Sequence, residues 1–203
     1  MLLLVDLDGV VYRGAVPVPG VAAVLAARAA AGDEVVYVTN SSIWHHADFV
    51  RRLASMGAPA AADRIVSGAR ATALYLAEQS PRPRLVLAVG APGLVRELRD
   101  AGFDVLPAAE AAERWTANGR SASAATEGVE AVVVGLDQEI GWARLVVATT
   151  AVRAGARFVA VNRDPIHPTE HGLVPGAGAV VAAVATASGV EPVTIGKPGP
   201  LLL

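Results

Sequence analysis

The chain contains no cysteine among its 203 residues. This absence excludes a disulfide framework and any chemistry that requires a thiolate. A chain without disulfides suits the reducing interior of a cell, and we therefore expect a cytoplasmic protein.

The chain also lacks a large excess of either positive or negative charge, and it has few long apolar runs. The formal net charge is only -2, so we expect no nucleic-acid partner and no attraction to an anionic membrane. The N-terminus has no basic region ahead of its apolar run and does not resemble a signal peptide. The longest uncharged stretch, 173–190, is interrupted by Pro175 and by glycines, which favours a buried, tightly packed helix over a membrane span.

Lysine occurs once, at Lys197, whereas the chain has sixteen arginines. The residue follows a short apolar run in the sequence Ile195-Gly196-Lys197-Pro198. The ammonium group of lysine is a compact point charge, unlike the planar guanidinium fork of arginine. The single lysine therefore indicates a site that needs a compact cation, although a surface lysine left by chance is the alternative.

Short Val- and Leu-rich runs alternate with longer Ala-rich segments, which is typical of an α/β fold with a parallel sheet. Five glycines follow segments with a helical pattern and predict left-handed C-caps at Gly32, Gly57, Gly102, Gly155 and Gly189. The pattern predicts strands over 2–6, 35–39, 85–89, 131–135, 157–161 and 193–195, and helices over 20–31, 46–56, 69–78, 92–101, 141–154 and 177–188.

Two stretches differ in composition from the rest. Residues 79–83 (Gln-Ser-Pro-Arg-Pro) are polar and proline-rich, and they are the best candidate for an interdomain linker. Residues 115–128 are mostly small and polar, which predicts a flexible surface loop.

The first predicted strand ends in two acids, Asp6 and Asp8, with Leu7 between them and Gly9 after them. In an extended chain both carboxylates point to the same side, where their mutual repulsion requires a cation or a shared proton. The carboxyl ends of parallel strands are where such folds bind ligands. The alternative is a strand that ends in a solvated acidic turn.

The second predicted strand also ends in polar residues, Thr39, Asn40, Ser41 and Ser42. Hydroxyl groups, an amide and free backbone N–H groups in this position can bind phosphate oxygens. The alternative is that Ser or Asn caps the helix that begins after Trp44. His45 and His46 are expected to be surface residues at the start of that helix.

In this order the segments resemble the haloacid dehalogenase superfamily, and most closely its NagD-like branch of 4-nitrophenylphosphatases and pyridoxal phosphate phosphatases. Residues 6–10 (Asp-Leu-Asp-Gly-Val) match the first motif of the superfamily, 38–40 (Val-Thr-Asn) the second, and 196–198 (Gly-Lys-Pro) the third. Residues 65–69, 134–137, 162–165 and 175–178 match the branch, so the resemblance spans the whole chain.

The resemblance implies a Rossmann-like parallel-sheet core with a large α/β cap domain inserted between the second and third motifs. The core would comprise residues 1–79 and 196–203, and the cap residues 80–195, with the linker candidate at the boundary. Caps of this branch often form dimers, so the resemblance is compatible with a homodimer through the cap but leaves the oligomeric state open.

The resemblance also implies an Mg²⁺-dependent phosphatase that acts on a small phosphorylated metabolite. Asp6 would attack phosphorus and form an aspartyl-phosphate, while Asp8 would serve as acid and then as base. Both aspartates would hold Mg²⁺, Asp8 through its backbone carbonyl. The residues that would hold the remaining phosphate oxygens are Thr39, Asn40, Ser41 and Lys197.

In the cap, Asn162, Asp164 and His167 would contact the substrate, although His167 could equally be a surface residue. The superfamily has a fourth, acidic motif some tens of residues beyond the motif lysine, and the 203 residues do not include it. We therefore expect a chain that is truncated before this motif. A catalytically impaired relative that binds phosphorylated ligands or a partner is the alternative function.

Overall fold

The structure is a computed structural model, and it describes residues 1–117, 119, 121–169 and 172–202. Two 3₁₀ turns lie at Ala62–Arg64 and Pro200–Leu202. The helices are α1 (Val21–Ala30), α2 (His46–Ser55), α3 (Gly68–Ala77), α4 (Pro92–Asp100), α5 (Ala108–Thr116), α6 (Ala122–Ala125), α7 (Trp142–Arg153) and α8 (Ala177–Ser188). The strands are β1 (Leu2–Val5), β2 (Tyr12–Arg13), β3 (Val16–Pro17), β4 (Glu34–Thr39), β5 (Ile65–Ser67), β6 (Leu85–Val89), β7 (Asp104–Pro107), β8 (Ala131–Val134), β9 (Arg157–Ala160), β10 (Ile166–Thr169), β11 (Gly172–Pro175) and β12 (Val193–Thr194).

Each strand and helix predicted from the sequence is present, with ends that differ by no more than one residue from the predicted ones. The five predicted C-cap glycines all have positive φ, as a left-handed helix end requires.

The prediction of a flexible loop over 115–128 is wrong, because the stretch contains the end of α5 and the short helix α6. Helix α6 forms because the Ser121 side chain accepts a hydrogen bond from the Ala124 N–H at 3.1 Å. Asn118 and Arg120 lie outside the described residues.

The larger sheet is parallel, with five strands in the order β12-β9-β8-β6-β7. Successive residues of its central strands point to opposite faces, as strand geometry requires. On β6, Leu87 and Val89 pack against α5, α7 and α8, whereas Val86 and Ala88 pack against α3 and α4. The sheet is therefore covered on both faces, which confirms the α/β class with a parallel sheet.

The smaller sheet is also parallel and has the order β1-β4-β5. Because its strands run the same way, Asp6 after β1 and Thr39 at the end of β4 reach the same edge of the sheet. One face of β1 is not covered by other elements of the described chain, because Leu2 and Leu4 are 55% and 57% exposed. Helices α1 and α2 cover the other face of this sheet, around Tyr37 and Phe49.

One apolar cluster joins the regions that hold the two sheets. It contains Val38 of β4 and Leu76 of α3 together with Val86 of β6 and Ile195, which follows β12. The smaller sheet lies within the predicted core range and the larger one within the predicted cap range. The division of the chain into core and cap at those boundaries stays a prediction, and Leu203 lies outside the described residues.

No helix in the described ranges combines the length and apolar character that a bilayer crossing requires. The stretch 173–190 forms β11 and the 12-residue helix α8, which packs on the larger sheet. The prediction of a buried helix in this stretch is confirmed.

Helix α4 lies against the backbone of the segment that follows β4. A Cβ atom added to Gly93 would lie 2.2 Å from the carbonyl oxygen of Ile43 and 2.6 Å from the carbonyl carbon of Trp44. Since the backbone cannot move aside as a flexible side chain can, this contact requires glycine.

We expect Gly93→Ala to lower the free energy of unfolding by about 1–3 kcal/mol, as overpacking of an interior contact typically does. Urea denaturation of both proteins measures the difference. Gly141→Ala is the matched control, because a Cβ at Gly141 meets no atom within 4 Å. Gly141 precedes α7 as its N-cap, so the control should lose less than about 1 kcal/mol. Equal losses in the two variants would contradict the steric argument.

Candidate active site

A cavity of about 320 Å³ opens at the edge where β1 and β4 end. Its wall includes every site residue predicted from the sequence, although these residues come from both ends and the middle of the chain. They are Asp6, Asp8, Thr39, Asn40, Ser41, Asn162, Asp164, His167 and Lys197.

The turn after β1 brings both aspartates to this cavity. Leu7 is fully buried, which fixes its neighbours Asp6 and Asp8 on the open side of the chain. Gly9 has a φ of 82°, and its N–H donates to the Tyr12 carbonyl at 2.8 Å, so the backbone reverses immediately after Asp8. The two carboxylates therefore face one space.

Lys197 supplies the cation next to this pair. Its Nζ lies 2.9 Å from Asp6 Oδ2 and donates to the Val38 carbonyl at 3.2 Å. The other carboxylate oxygen of Asp6, Oδ1, accepts the Leu7 N–H at 2.8 Å. Both oxygens of Asp6 are thus oriented by fixed donors, which is how a reactive carboxylate is held in place.

Thr39 and Ser41 form a short chain of hydrogen bonds that ends at Asp8. The Thr39 hydroxyl donates to Asp8 Oδ2 at 3.2 Å and accepts the Ser41 N–H at 3.1 Å. Ser41 Oγ accepts the Ile43 N–H at 3.4 Å. Two hydroxyl groups therefore lie beside the carboxylates, on the wall of the cavity.

The side chain of Asn40 connects three segments that are distant in sequence. Its Oδ1 accepts the Lys197 N–H at 2.7 Å, and its Nδ2 donates to the Lys197 carbonyl at 3.1 Å. The same Nδ2 donates to the Asp164 carboxylate at 3.1 Å. The amide thus pairs with the backbone of Lys197 on both sides, which fixes where the lysine side chain starts.

Asn162 and Asp164 complete this connection from the loop after β9. Asn162 Nδ2 donates to the Asn40 carbonyl at 2.7 Å, and Asn162 Oδ1 accepts the Asp164 N–H at 3.0 Å. His167 lies further along on β10, whose antiparallel partner is β11. This hairpin forms one wall of the cavity, with His167 half-buried in it.

The environment of Asp8 alters its acidity. Partial burial by the surrounding protein raises the pKa of its carboxyl above the ordinary value, and the nearby charge of Asp6 acts in the same direction. The hydrogen bond from Thr39 and the proximity of His167 lower the pKa and offset part of this rise. Asp8 therefore holds a proton at a higher pH than a solvated aspartate does.

In the segment after β4, the structure excludes the alternative of a Ser or Asn cap and contradicts the expectation that His45 is a surface residue. His45, and neither serine nor asparagine, caps α2: its Nδ1 accepts the Ala47 N–H at 3.3 Å. His45 is also not a surface residue, since it is only 4% exposed under helix α4. Ser42, the last residue of the polar run after β4, is buried at the cavity, and its hydroxyl accepts the Leu136 N–H at 2.9 Å. The sequence contains no signal for this bond, because its partners are 94 residues apart.

The comparisons with known proteins point to one family. The family model described as haloacid dehalogenase-like hydrolase matches residues 3–104. An acid sugar phosphatase from Staphylococcus saprophyticus is 36% identical over 200 residues, which cover 98% of this chain and 70% of that protein.

Solved structures agree with this assignment. A p-nitrophenyl phosphatase from Archaeoglobus fulgidus matches with a TM-score of 0.82 at 28% identity, over 99% of this chain and 70% of the other. A glycerol phosphate phosphatase from Mycobacterium tuberculosis, solved in complex with magnesium, matches with a TM-score of 0.79 at 34% identity, over 99% of this chain and 55% of the other. The chain therefore belongs to the haloacid dehalogenase-like hydrolases, in the NagD-like branch.

Proposed function

We propose that the protein hydrolyses small-molecule phosphate monoesters, in an Mg²⁺-dependent reaction that passes through an aspartyl-phosphate at Asp6. The observation that carries the proposal is the Asp6–Lys197 pair at 2.9 Å, which lies in the same cavity as Asp8 and the hydroxyl of Thr39. A carboxylate nucleophile, a second carboxyl group with a raised pKa and a fixed cation are the groups that this reaction requires.

In the first step an oxygen of the Asp6 carboxylate forms a bond to phosphorus, and the bond from phosphorus to the leaving oxygen breaks. The donors on both Asp6 oxygens hold the carboxylate in one orientation before substrate binds. Pre-set orientation lowers the entropic part of the barrier.

Asp8 moves the protons. In the first step its carboxyl group donates a proton to the leaving oxygen, and in the second step its carboxylate takes a proton from the attacking water. The water then displaces Asp6 from phosphorus and regenerates the free carboxylate. A raised pKa suits this double role, since it brings the protonated form of Asp8 closer to neutral pH.

The phosphate oxygens would be held by Lys197, by the hydroxyl of Thr39 and by Ser41. The side-chain amides of Asn40 and Asn162 already bond to protein atoms, so we propose that they position the lysine and Asp164. Any contact that Asn40 makes to phosphate would then use its backbone.

The residues present also fit Mg²⁺. Asp6, Asp8 and Asp164 place three carboxylates around the cavity, and Lys197 offsets only one of them. An anionic substrate needs further positive charge there, and Mg²⁺ prefers oxygen ligands, often one or two carboxylates plus substrate phosphate. Asp6, through its carboxylate, and Asp8, through its backbone carbonyl, would hold the ion, which would neutralise charge on the transferring phosphoryl group.

We propose that the other wall of the cavity selects the substrate. His167 on β10, Ile166 and Pro168 face the catalytic residues and would contact the leaving group. A space of about 320 Å³ admits a small metabolite. The relatives named for acid sugar phosphatase and glycerol phosphate phosphatase activities support sugar or polyol phosphates as the first compounds to assay.

We expect Asp6→Asn to reduce the Mg²⁺-dependent hydrolysis of 4-nitrophenyl phosphate by at least about a thousandfold, because an amide is a poor nucleophile. Release of 4-nitrophenol, measured with and without EDTA, gives both the loss and the metal dependence. Asp63→Asn is the matched control, since the Asp63 side chain is 77% exposed in a 3₁₀ turn and is absent from the cavity wall.

Undiminished turnover in Asp6→Asn would rule out Asp6 as the nucleophile. A wild-type chain that binds Mg²⁺ and phosphate but releases no 4-nitrophenol would contradict the proposed hydrolysis. That outcome would favour a binding protein for phosphorylated ligands.

We also expect Asp8→Asn to raise Tm at pH 7.5 in metal-free buffer. The folded protein binds the Asp8 proton more tightly than the unfolded chain, so the ionised carboxylate destabilises the fold at neutral pH. This cost disappears as pH falls through the raised pKa of Asp8, and the difference between the two proteins should shrink in the same interval. Thermal unfolding followed by circular dichroism between pH 4 and 7.5 measures it.

Asp6→Asn is the control for this second measurement, because it removes the carboxylate that pairs with Lys197. It should not raise Tm at neutral pH. A lower Tm for Asp8→Asn at pH 7.5, or a difference that does not change with pH, would contradict the argument from burial.

A further inference from the structure

A second group of ligating side chains lies outside the candidate active site. His45 and His46 at the start of α2 meet Glu97 of α4, and we call these three residues the His–Glu cluster. Within the part of the chain that the structure describes, it is the one set of three or more His, Cys, Asp or Glu donors whose ligand atoms all lie within 4.8 Å of one another.

Glu97 is a carboxylate with an unusual environment. It is only 3% exposed, and the ion pairs found for it among the described residues are to the two histidines alone. A buried carboxylate requires a compensating positive charge. The His46 N–H donates to Glu97 Oε1 at 2.6 Å, but a neutral donor does not cancel the negative charge, which protonated imidazole or a metal cation would balance.

We propose that the His–Glu cluster, together with Asp100, binds a divalent transition-metal ion such as Zn²⁺ or Co²⁺. Two imidazole nitrogens and two carboxylate oxygens form a donor set that these ions prefer, whereas Mg²⁺ prefers oxygen ligands alone. The two carboxylates also balance the charge of a divalent ion. The site is separate from the Asp6–Asp8 pair, since none of its residues lines the catalytic cavity.

The distances within the His–Glu cluster are close to those of a four-coordinate ion. His46 Nδ1 lies 3.0 Å from Glu97 Oε1, His45 Nε2 lies 4.0 Å from the same oxygen, and His45 Nε2 lies 2.8 Å from Asp100 Oδ2. With ligand bonds of about 2.0–2.1 Å, two donors of a tetrahedral site are separated by about 3.3 Å. The separations within the His–Glu cluster lie near that value, whereas Asp100 is close to His45 but outside the set of mutually close donors, so its exposed side chain would have to rotate toward the ion.

Metal binding would determine where the ring protons reside. His45 would carry its proton on Nδ1 and His46 on Nε2, because the other nitrogens face the carboxylates. His45 Nδ1 could then no longer accept the Ala47 N–H, so α2 would lose one capping bond. The other half of the cap, from the His45 N–H to Asp48, stays intact.

The surroundings favour a cation that can enter from solvent. Glu97 and Asp100 belong to the last turn of α4, where the helix dipole attracts positive charge. The positive end of the α2 dipole, at the start of that helix, repels a cation. Asp48 in the first turn of α2 offsets this repulsion. Asp48 pairs with Arg51 and Arg96, so these arginines do not compete for Glu97. The Asp100 side chain is 59% exposed and provides access from solvent.

The position of the cluster gives the ion a mechanical role. His45 lies three residues after Ser42, whose side chain reaches the wall of the catalytic cavity. Helix α4 already lies against the backbone between these residues at Gly93. An ion held by both α2 and α4 would join this segment to α4 more firmly and would limit its movement beside the active site.

The test is a Co²⁺ titration of the 203-residue protein in excess Mg²⁺, followed by visible absorption. We expect saturable d–d bands at one Co²⁺ per chain, which Zn²⁺ abolishes by competition. His46→Asn and Glu97→Gln should each weaken Co²⁺ binding tenfold or more. His46→Asn keeps an amide donor near the position of Nδ1 and therefore preserves the bond to Glu97 while it removes the metal ligand.

Glu110→Gln, in the exposed pair of Glu110 with Arg114, is the matched control and should bind Co²⁺ as the wild type does. Asp6→Asn should also retain the bands. Absence of saturable bands in the wild type would overturn the proposal, and so would bands that disappear in Asp6→Asn but persist in Glu97→Gln. Circular dichroism of each variant shows that it is folded, and if Glu97→Gln unfolds, His46→Asn decides the question.

Discussion

The ion pair between Asp6 and Lys197 joins the first strand of the chain to its last described segment, across 190 intervening residues. It can form only if β12 is added to the edge of the larger sheet and if Ile195 is buried between the two sheet regions. The side chain of Asn40 then fixes the backbone of Lys197 from both sides. The geometry of the site therefore depends on how the two sheet regions pack, because each contributes one partner of the pair.

The same pair determines the charge balance in the cavity. Lys197 pairs directly with Asp6, whereas desolvation by the surrounding protein raises the pKa of Asp8 despite the opposing effects of Thr39, His167 and Arg52. A carboxyl group with a raised pKa suits the role of an acid, whereas a carboxylate oriented by a lysine suits the role of a nucleophile. The remaining negative charge explains why a divalent cation is expected with an anionic substrate. The proposed roles thus follow from one asymmetry between Asp6 and Asp8.

The features that could be predicted from the sequence are those with local causes. Apolar runs and terminal glycines gave the ends of β4 and α8 closely, since these patterns act within one element. The motifs predicted the site residues correctly because most of these residues follow the ends of strands, and the ends of parallel strands meet at one edge of a sheet. Contacts between distant segments have no such signal: neither the bond from Asn40 to Asp164 nor the burial of His45 can be seen in the neighbouring residues. His45 is buried because Gly93 allows α4 to approach, and only the packed structure shows this. Strand β7 was not predicted from the sequence, because it contains Asp104 and Pro107 and both residue types are depleted in strands.

The proposed mechanism depends on covalent phosphorylation of Asp6 during turnover. To detect this intermediate, the protein is mixed with 4-nitrophenyl phosphate and Mg²⁺, quenched with acid within the first turnover, and digested for mass spectrometry of the peptides. We expect a phosphate adduct on Asp6 that appears before free phosphate and disappears when the substrate is exhausted. Turnover with no adduct on Asp6, or with the adduct on another residue, would contradict it.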